Sequence, residues 1–299
     1  MKSRPASANL WLGPIGAWPQ RELRLEGCLL RGSLLCFVSG CHRQSYHDRL
    51  DTGPAICCQK FDDELRLGLY LIKSTIRILI SKIDSVLRVT EIFRSIQGES
   101  THAGRPCTFV RLTGCPMRCV WCDSEYTFTG GTHFTIEEVM RQVCDFGCRL
   151  VEVTGGEPLA QREAFDLIKR LCDDDYEVLI ETGGYVSTAE VDQRAKIIFD
   201  VKCPASGEAE RNHWPNLERL RPDLDEVKFV VTNRADWNFA RRVIEDYDLE
   251  HRAKAILISP AWGLIDLKEL ANWIAESGMN LRMQLQMHKY IWGPDARGV

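Results

Sequence analysis

The sequence predicts an α/β protein whose parallel sheet forms a partial, open (β/α)6 barrel over residues 88–299. Two observations lead to this prediction. From residue 88 onward, strand-like runs alternate with helical runs, which is the pattern of successive βαβ units and a parallel sheet. About six such repeats can be counted, which is fewer than the eight that close a full barrel.

The predicted elements follow from local composition and periodicity. Strand-like runs, rich in apolar and β-branched residues, are 89–93, 108–113, 150–154, 177–181, 196–201, 226–231, 255–259 and 281–286. Segments with apolar residues at helical spacing are 135–146, 161–172, 187–195, 235–248 and 265–277. Thr135 followed by Glu138 matches a capping box, so we expect the first helix to begin there.

Residues 1–87 differ from the rest, and we place a domain boundary after residue 87. They carry a net charge of +4, whereas residues 88–299 carry −8. Residues 1–60 show no sustained period, so we expect poor order there, while residues 65–87 fit one amphipathic helix. Their cysteines and histidines match no familiar zinc spacing. A translation start placed too far upstream would give this appearance, and the mass of the natively expressed protein tests whether the extension is native.

Overall composition is that of a soluble globular protein, with 44% hydrophobic and 27% charged residues. The net charge of −4 gives no reason to expect a nucleic-acid or membrane partner. No apolar run reaches the roughly 18 residues of a membrane span, and Arg31 interrupts the one apolar stretch that resembles a secretory signal. We therefore expect the 13 cysteines to be free thiols in the reducing cytoplasm.

Three cysteines carry most of the functional information. Cys115, Cys119 and Cys122 form a C-x3-C-x2-C run. Three thiolates can hold three irons of a [4Fe–4S] cluster and leave the fourth iron free for a small molecule, whereas electron-transfer ferredoxins supply four cysteines. The alternatives are buried structural cysteines or a zinc site completed by a distant ligand.

The three-cysteine run resembles the signature of radical S-adenosylmethionine (SAM) enzymes. Trp121 precedes Cys122, where this superfamily places an aromatic residue beside the adenine of SAM. A Gly-Gly-Glu-Pro run at residues 155–158 follows a predicted strand, and its glycines allow a ligand to approach the backbone closely. Glu157 in this run would either pair with the SAM ammonium or support the loop. The resemblance implies a [4Fe–4S] cluster and SAM as cofactors, and it agrees with an open (β/α)6 barrel.

Three further strand ends are candidates for contact with SAM or substrate, because ligands of parallel sheets bind at the carboxyl ends of strands. They are residues 181–184, 200–204 and 259–262. Each could also be an ordinary turn. Cys203 lies in the second of these segments and is not expected to bind the cluster, whose ligand set is complete without it.

Further motifs resemble those of the 7-carboxy-7-deazaguanine synthase family. They are Ser-Ile-Gln-Gly-Glu-Ser at residues 95–100, Phe-Val-Arg-Leu-Thr-Gly-Cys at 109–115, Cys-Asp-Ser at 122–124, Glu-Val-Thr-Gly-Gly-Glu-Pro at 152–158, Asp-Val-Lys-Cys-Pro at 200–204 and Gln-Met-His-Lys-Tyr at 286–290. The cluster motif alone belongs to a very large superfamily, whereas the Gln-Gly-Glu run before it is more specific. The resemblance covers about residues 88–292 and none of residues 1–87.

This resemblance implies a magnesium-dependent lyase of queuosine and 7-deazapurine biosynthesis. Such an enzyme converts 6-carboxy-5,6,7,8-tetrahydropterin to 7-carboxy-7-deazaguanine, releases ammonia and regenerates SAM. An electron donor such as flavodoxin or ferredoxin would reduce the cluster. Members of the family are commonly homodimers, so we expect the same here.

The resemblance also implies roles for individual residues. Those at the substrate would be Ile96, Gln97, Gly98, Arg111 and Thr154. Those at SAM would be Trp121, Gly156, Glu157, Lys202 and Ser259. Cys115, Cys119 and Cys122 would hold the cluster, and Ser124 would bind Mg2+, which prefers oxygen ligands and keeps several waters.

Two of these positions have simpler interpretations, and a third position, Pro294, departs from the family. Arg111 would pair with the substrate carboxylate through its planar fork, but its spacing also fits a surface arginine. Ser124 could be an ordinary turn serine, and close relatives often have threonine there. The family often ends in a proline near the substrate, whereas Pro294 is followed here by five residues, so its role stays open.

Three alternatives have distinct signatures. An activase of glycyl radical enzymes would need a protein-sized docking face and no carboxylate-binding arginine. An electron-transfer protein would hold a redox-active cluster indifferent to SAM, against which Trp121 and residues 155–158 argue. An inactive paralogue would have lost parts of the motif, but the cysteines and glycines of this sequence are intact.

Overall fold

A sheet of nine strands forms the framework of residues 86–299, which are the part of the chain that the computed structural model describes. The strands are β1 Val86–Ile96, β2 Pro106–Leu112, β3 Thr132–Thr135, β4 Leu150–Gly155, β5 Glu177–Thr182, β6 Lys196–Val201, β7 Glu226–Val231, β8 Ala255–Pro260 and β9 Arg282–Met283. The α-helices are α1 Ile136–Phe146, α2 Glu163–Asp173, α3 Arg234–Asp246, α4 Leu249–Arg252, α5 Leu267–Ala275 and α6 Met287–Trp292.

The predictions for the N-terminal extension lie almost entirely outside the described residues. They are its poor order, its non-native origin, the zinc alternative and the helix at residues 65–87. The last two residues of that segment, Val86 and Leu87, belong to strand β1.

The sheet confirms the predicted partial, open barrel. Its strand order is β3-β1-β2-β4-β5-β6-β7-β8-β9, and β2 and β4 to β9 run parallel to one another. The edge strands β3 and β9 do not pair, so the barrel is open within residues 86–299. None of the helices described there is long and apolar enough to cross a membrane.

Strand β1 pairs antiparallel with both β2 and β3, which corrects the expectation of βαβ units from residue 88 onward. All eight predicted strands are present, although the last shrinks from residues 281–286 to Arg282–Met283. Strand β3 was not predicted. It is only four residues long and gains its hydrogen bonds from β1, a partner that local sequence does not reveal.

Four of the five predicted helices are present with shifted ends, but the helix predicted at residues 187–195 is wrong. The Thr188 backbone N–H donates to Asn216 Oδ1 at 3.0 Å, and the Arg194 N–H donates to Asp192 Oδ1 at 3.0 Å. These side chains offer the backbone an alternative to helical hydrogen bonds, so the segment forms turns. The capping box of α1 is confirmed, because Thr135 and Glu138 exchange both expected hydrogen bonds.

Alternation along the parallel strands separates a hydrophobic core from a polar interior. One face packs against the helices through apolar side chains, among them Val153, Ile180, Phe199, Phe229 and Ile258. Each fully buried side chain of this kind contributes about 1.5–3 kcal/mol to stability. The intervening positions point into the barrel and carry polar residues, among them Glu152, Glu181, Asp200, Lys228 and Ser259. The same periodicity therefore builds the core and supplies the inner surface.

Candidate active site

The barrel encloses a cavity of about 820 Å3 at the carboxyl ends of the parallel strands, which we call the upper cavity. Its wall combines strand ends, the loop that carries the three cysteines and the C-terminal residues 294–299. Every residue that the sequence analysis assigned to substrate, SAM, cluster or magnesium lines this cavity except Glu157, and Pro294 lines it as well. The fold thus brings together motifs that are far apart in the chain.

The three thiols project from a loop whose backbone is held in place. Cys115, Cys119 and Cys122 are half-buried, and all cysteines among residues 86–299 are free thiols. Arg118 Nη1 donates to the Cys115 carbonyl oxygen at 2.6 Å, and Arg211 Nη1 donates to the Pro116 carbonyl oxygen at 2.8 Å. These contacts fix the loop without using the thiols.

The donor set fits an iron–sulfur cluster better than a zinc ion. Within residues 86–299, no three His, Cys, Asp or Glu side chains converge on a point that one metal ion could occupy. A zinc site requires such convergence, whereas each thiolate of a cluster binds its own iron. Burial raises the pKa of Cys119 to about 11, so iron binding there must displace a proton.

Gly156 brings the Gly-Gly-Glu-Pro turn against the cysteine loop. A Cβ at this position would overlap the Gly114 carbonyl oxygen and lie 2.7 Å from Cys115 Cβ. The Glu157 backbone N–H also donates to the Gly114 oxygen at 2.9 Å. Only glycine permits this approach, which sets the turn beside the first cysteine.

Glu157 occupies the position of a support rather than a ligand. Its buried carboxylate accepts hydrogen bonds from Thr182 Oγ1 at 2.8 Å, the Gly183 N–H at 2.9 Å and the Leu159 N–H at 3.1 Å. These bonds join the turn after β4 to the end of β5. Of the two roles left open by the sequence, the geometry favours support of the loop.

A charged network fills the interior of the barrel. Lys228 Nζ contacts Glu99 Oε2 at 2.9 Å, Asp200 Oδ2 at 3.8 Å and the carboxylate of Glu181. Lys202 Nζ lies 2.8 Å from Asp200 Oδ2. Glu152 adds a fourth carboxyl group, which accepts a hydrogen bond from the side-chain amide of Gln97. The network therefore contains four carboxyl groups and only two ammonium groups.

The two ends of this network differ in the direction of their pKa shifts. Burial, together with the nearby charges of Glu181 and Glu99, raises the pKa of Glu152 well above its usual range. Burial also disfavours ionised Glu99, but Lys228 and the Gln286 hydrogen bond outweigh it and lower the pKa of Glu99. A protonated carboxyl can donate a hydrogen bond where an ionised one only accepts. The pKa shifts thus favour a hydrogen-bond donor at Glu152 and an acceptor at Glu99.

Two buried polar atoms at the cavity wall have no partner within the described part of the chain. They are Asp200 Oδ1 and Trp121 Nε1. Buried polar groups in proteins are almost always hydrogen-bonded. Lys202 Nζ, which holds the other oxygen of Asp200, lies 5.9 Å from the centroid of the Trp121 ring. These atoms mark a place where a polar ligand would complete the site.

Arg111 is not the surface arginine that its spacing allowed. Its Nε donates to Glu91 Oε1 at 2.8 Å, and the hydroxyl of Tyr126 donates to the same oxygen at 2.8 Å. No hydrogen bond from its Nη1 or Nη2 to another residue of 86–299 is present. The outer prongs of the guanidinium thus remain available to a ligand in the cavity.

Ser124 lies beside a second oxygen ligand. Its Oγ donates to Asp123 Oδ1 at 2.9 Å. The other oxygen, Asp123 Oδ2, accepts from Lys289 Nζ at 2.7 Å and from Gln286 Nε2 at 3.0 Å. A hydroxyl next to a carboxylate is a donor set that suits a hard cation such as Mg2+. The Gln-Met-His-Lys-Tyr motif therefore reaches the cysteine loop through Lys289 and Gln286.

Sequence analysis gave no role to several residues that line this cavity. They are Glu91, Asp123, Tyr126, Glu152, Lys228 and Arg297. A signal for two of them was present in the sequence: Glu152 and Lys228 are charged residues inside strands that otherwise read as buried. Such residues are rarely buried unless they are paired, which marks them as candidates for a polar interior. Asp123 lies inside the Cys-Asp-Ser motif but was given no role, and Glu91, Tyr126 and Arg297 lie outside the quoted motifs.

The open barrel and its three-cysteine cavity define a radical SAM enzyme. The model of the Radical SAM superfamily matches residues 109–205. The chain is 45% identical to the 7-carboxy-7-deazaguanine synthase of Koribacter versatilis over 71% of its own length and 100% of that protein. It is 44% identical to the enzyme of the same name from Chlorobaculum tepidum, over 72% of its own length and 99% of that protein. The chain belongs to the 7-carboxy-7-deazaguanine synthase family.

A solved structure supports the fold independently. The crystal structure of QueE from Escherichia coli matches with a TM-score of 0.58 and 24% identity, and the match covers 70% of this chain and 98% of that one. As a radical SAM enzyme, the protein uses a [4Fe–4S] cluster and SAM. The family and the fold expected from the sequence are thereby confirmed.

Proposed function

We propose that the protein converts 6-carboxy-5,6,7,8-tetrahydropterin to 7-carboxy-7-deazaguanine and releases ammonia, as a magnesium-dependent carbon–nitrogen lyase. One observation carries the proposal. A single cavity joins the three thiols of the cysteine loop to a buried set of carboxyl groups and to Arg111. The names of the relatives that match the same part of the chain support it.

The interior of the barrel suits the ring of a pterin. The amino-pyrimidinone edge of a pterin carries N–H donors next to a carbonyl acceptor. Ionised Glu99 could accept from such donors through charge-assisted hydrogen bonds, and protonated Glu152 could donate to the carbonyl. Ile96, Gln97, Gly98 and Thr154 line the same space and are proposed to contact the ring.

Gly98 is required where this wall meets the C-terminal helix. A Cβ at Gly98 would lie 3.0 Å from the backbone nitrogen of His288 and would overlap its ring. The Gly98 carbonyl oxygen also accepts from the Met287 N–H at 3.0 Å. The turn that follows β1 and contains Gly98 is thus held against α6, which fixes one end of the pocket.

Arg111 is proposed to bind the substrate carboxylate. Glu91 and Tyr126 hold its Nε side, which orients the guanidinium and leaves its outer prongs for a two-point contact. Such an arrangement places one end of the substrate while the carboxyl groups of the interior recognise the other.

Cys115, Cys119 and Cys122 would hold the cluster, which together with SAM supplies a 5′-deoxyadenosyl radical for hydrogen abstraction. Trp121, Gly156, Lys202 and Ser259 line the adjoining wall and are proposed to contact SAM. The unpartnered Asp200 Oδ1 and Trp121 Nε1 would then gain hydrogen bonds. Glu157 would act indirectly, by holding the turn that contains Gly156.

Ser124 is proposed to bind Mg2+ through its hydroxyl, next to the carboxylate of Asp123. Ser124→Ala should raise the Mg2+ concentration for half-maximal activity at least roughly tenfold, because a magnesium site with few protein ligands depends on each of them. Ser124→Thr keeps the hydroxyl and is the matched control. Equal magnesium dependence in the alanine and wild-type enzymes would contradict the assignment.

Anaerobic turnover tests the function directly. The reconstituted enzyme would receive dithionite, SAM, Mg2+ and 6-carboxy-5,6,7,8-tetrahydropterin, and mass spectrometry would follow 7-carboxy-7-deazaguanine. We expect many product molecules for each SAM consumed, and none from Cys119→Ala. Release of 5′-deoxyadenosine without this product would keep the radical chemistry but overturn the proposed substrate.

Two partners complete the proposal. A small electron-transfer protein such as flavodoxin or ferredoxin would reduce the cluster in place of dithionite. A second copy of the chain would cover the exposed apolar residues around α6, of which Tyr290 and Ile291 are each 53% exposed. Light scattering should give twice the chain mass, and a monomer at micromolar concentration would overturn the dimer.

A further inference from the structure

The residues that follow α6 run along the rim of the upper cavity. Gly293 turns the chain with a φ of +95°, and residues 294–299 line the cavity wall. The segment passes close to Glu91, since a Cβ at Gly298 would lie 4.0 Å from Glu91 Oε2. A segment beyond the motifs that the sequence shares with its family thus borders the site.

Arg297 in this segment makes a specific side-chain contact with the cavity wall. Its guanidinium carbon lies 4.1 Å from the centroid of the Tyr126 ring, in a cation–π arrangement. The hydroxyl of Tyr126 donates to Glu91 Oε1, the oxygen that also accepts from Arg111 Nε. Two guanidinium groups therefore flank one tyrosine–carboxylate pair.

The two arginines of this wall differ in their ion-pair partners. Glu91 forms an ion pair with Arg111 at 2.8 Å, so the charge of Arg111 is already matched by one carboxylate. Arg297 forms no ion pair with any residue of 86–299, including its neighbour Asp295. A ligand carboxylate that contacts both arginines would give Arg297 an ion-pair partner. A carboxylate that met Arg111 alone would share it with Glu91, which weakens recognition.

We infer that Arg297 is a specificity-determining residue that binds the substrate carboxylate together with Arg111, using the Tyr126 ring as its platform. This inference rests on the proposed function. The planar fork of arginine suits both tasks, because it stacks on an aromatic face and presents paired donors at its edge. Arg297 thus adds to the carboxylate site a cation that the shared motifs do not supply.

The test compares ligands with and without the carboxylate. The reconstituted holoenzyme with SAM would be assayed for KM and kcat with 6-carboxy-5,6,7,8-tetrahydropterin. Equilibrium affinity would be measured for this substrate and for tetrahydropterin without the 6-carboxyl group. For Arg297→Ala we expect KM and the substrate Kd to rise roughly tenfold to a hundredfold, the size of a lost charge-assisted hydrogen bond. The Kd of the ligand without the carboxyl group should change less than about twofold.

Matched variants separate recognition from general disturbance. Arg297→Lys keeps the charge but loses the fork and should fall between wild type and alanine. Arg252→Ala removes an exposed arginine outside the cavity and should change neither affinity. Tyr126→Leu removes the platform and should weaken binding of the carboxylated ligand more than that of the other.

The outcomes distinguish this inference from the proposed function. Wild-type enzyme that binds the carboxylated pterin more tightly but forms no product would overturn the function alone. Arg297→Ala that binds both ligands as wild type does, or loses affinity for both equally, would overturn the role of Arg297 while leaving the function intact. Wild-type enzyme that binds neither ligand would overturn both.

Discussion

The two ends of the open barrel handle charge in opposite ways. At the amino ends of the parallel strands, Glu177 accepts hydrogen bonds from Arg105 at 2.5 and 3.1 Å and from Lys196. Glu226 accepts from the Thr101 backbone N–H at 3.0 Å. We call these five residues the lower network. In the upper cavity, by contrast, carboxyl groups crowd one another and Asp200 Oδ1 has no partner within residues 86–299.

The pKa values express the same difference. In the lower network, the hydrogen bond from Arg105, assisted by Lys196, lowers the pKa of Glu177 to about 2. In the upper cavity, burial and two neighbouring carboxylates raise the pKa of Glu152. A carboxylate matched by cations stabilises the fold, whereas one held against its preference marks a site that awaits a ligand. Charged residues on one sheet therefore serve stability at one end and recognition at the other.

The largest effect is expected from removing a cluster ligand in the upper cavity. Cys119→Ala removes one of three thiolates, so iron content should fall and product formation should drop to the assay background. Cys144→Ala is the control, because Cys144 is exposed and lies outside the cavity. Iron analysis, electron paramagnetic resonance and turnover would check this. Normal iron content in Cys119→Ala would contradict the assigned ligand set.

A second test asks whether the carboxyl groups of the upper cavity differ as their protonation indicates. Glu99→Gln removes an ionised group bound to Lys228, and it should lower the free energy of unfolding by about 2–3 kcal/mol. This loss is no larger than that expected for breaking an isolated buried ion pair, because Lys228 would still be paired with the Glu181 carboxylate. The raised pKa of Glu152 favours its protonated form, which an amide resembles. Glu152→Gln should therefore change the free energy of unfolding by less than about 1 kcal/mol. Urea unfolding of both variants at neutral pH measures the contrast, and equal losses would contradict it.

A third test concerns His102, which lies beside the lower network. Burial, with Lys196 next in importance, lowers the pKa of His102 from 6.5 to about 4. The folded state therefore binds its proton less readily than the unfolded chain, and stability falls as the pH falls from 6.5 towards 4. The loss between pH 7 and pH 5 should be about 2 kcal/mol.

Replacing this histidine should remove that pH dependence. His102→Gln keeps a group that can accept from Arg105 but cannot titrate in this range. Unfolding free energies at pH 7, 6 and 5 should therefore fall less steeply in the variant than in the wild type. Parallel curves would show that His102 is not responsible.

The smallest effect is expected in the lower network itself. Glu177→Gln should lower the free energy of unfolding by about 1 kcal/mol at pH 7, since its carboxylate is 30% exposed and solvent screens its ion pairs. Because the pKa of Glu177 is lowered from 4.5 to about 2, its contribution is present above pH 4.5 and is lost as the pH falls towards 2. The difference between variant and wild type should accordingly shrink from pH 7 to pH 3. Turnover should be unchanged. A large loss of activity would show that the lower network also affects catalysis, which would contradict the difference drawn between the two ends of the barrel.

Local patterns were sufficient for much of the fold. The capping box of α1 needed only Thr135 and Glu138, which lie three residues apart. The strands followed from composition within windows of about six residues. The failed helix at residues 187–195 shows the limit of this reasoning, because Asn216, 28 residues from Thr188, helps to hold the turns that replace it.

The candidate site likewise has features that the sequence predicts and features that only the structure shows. The spacing of Cys115, Cys119 and Cys122 predicted the cluster, and resemblance to a family supplied most other site residues, which the fold then gathers at one cavity. The pairing of Arg111 with Glu91 and the supporting role of Glu157 became visible only in the structure. Each depends on groups from different elements of the fold, and local sequence does not reveal which of their atoms meet.

By itself, the sequence determined the alternation of strands and helices, the three-thiol loop and the family. Each of these is recognised from patterns and motifs within short stretches of the chain. Tertiary structure decided the pKa shifts of the interior carboxyl groups and the position of Arg297. Lys228 meets Glu99 across 129 residues, and Arg297 stacks on Tyr126. Electrostatic energies depend on distance in space and on burial, and both are set only when the sheet curves around these groups.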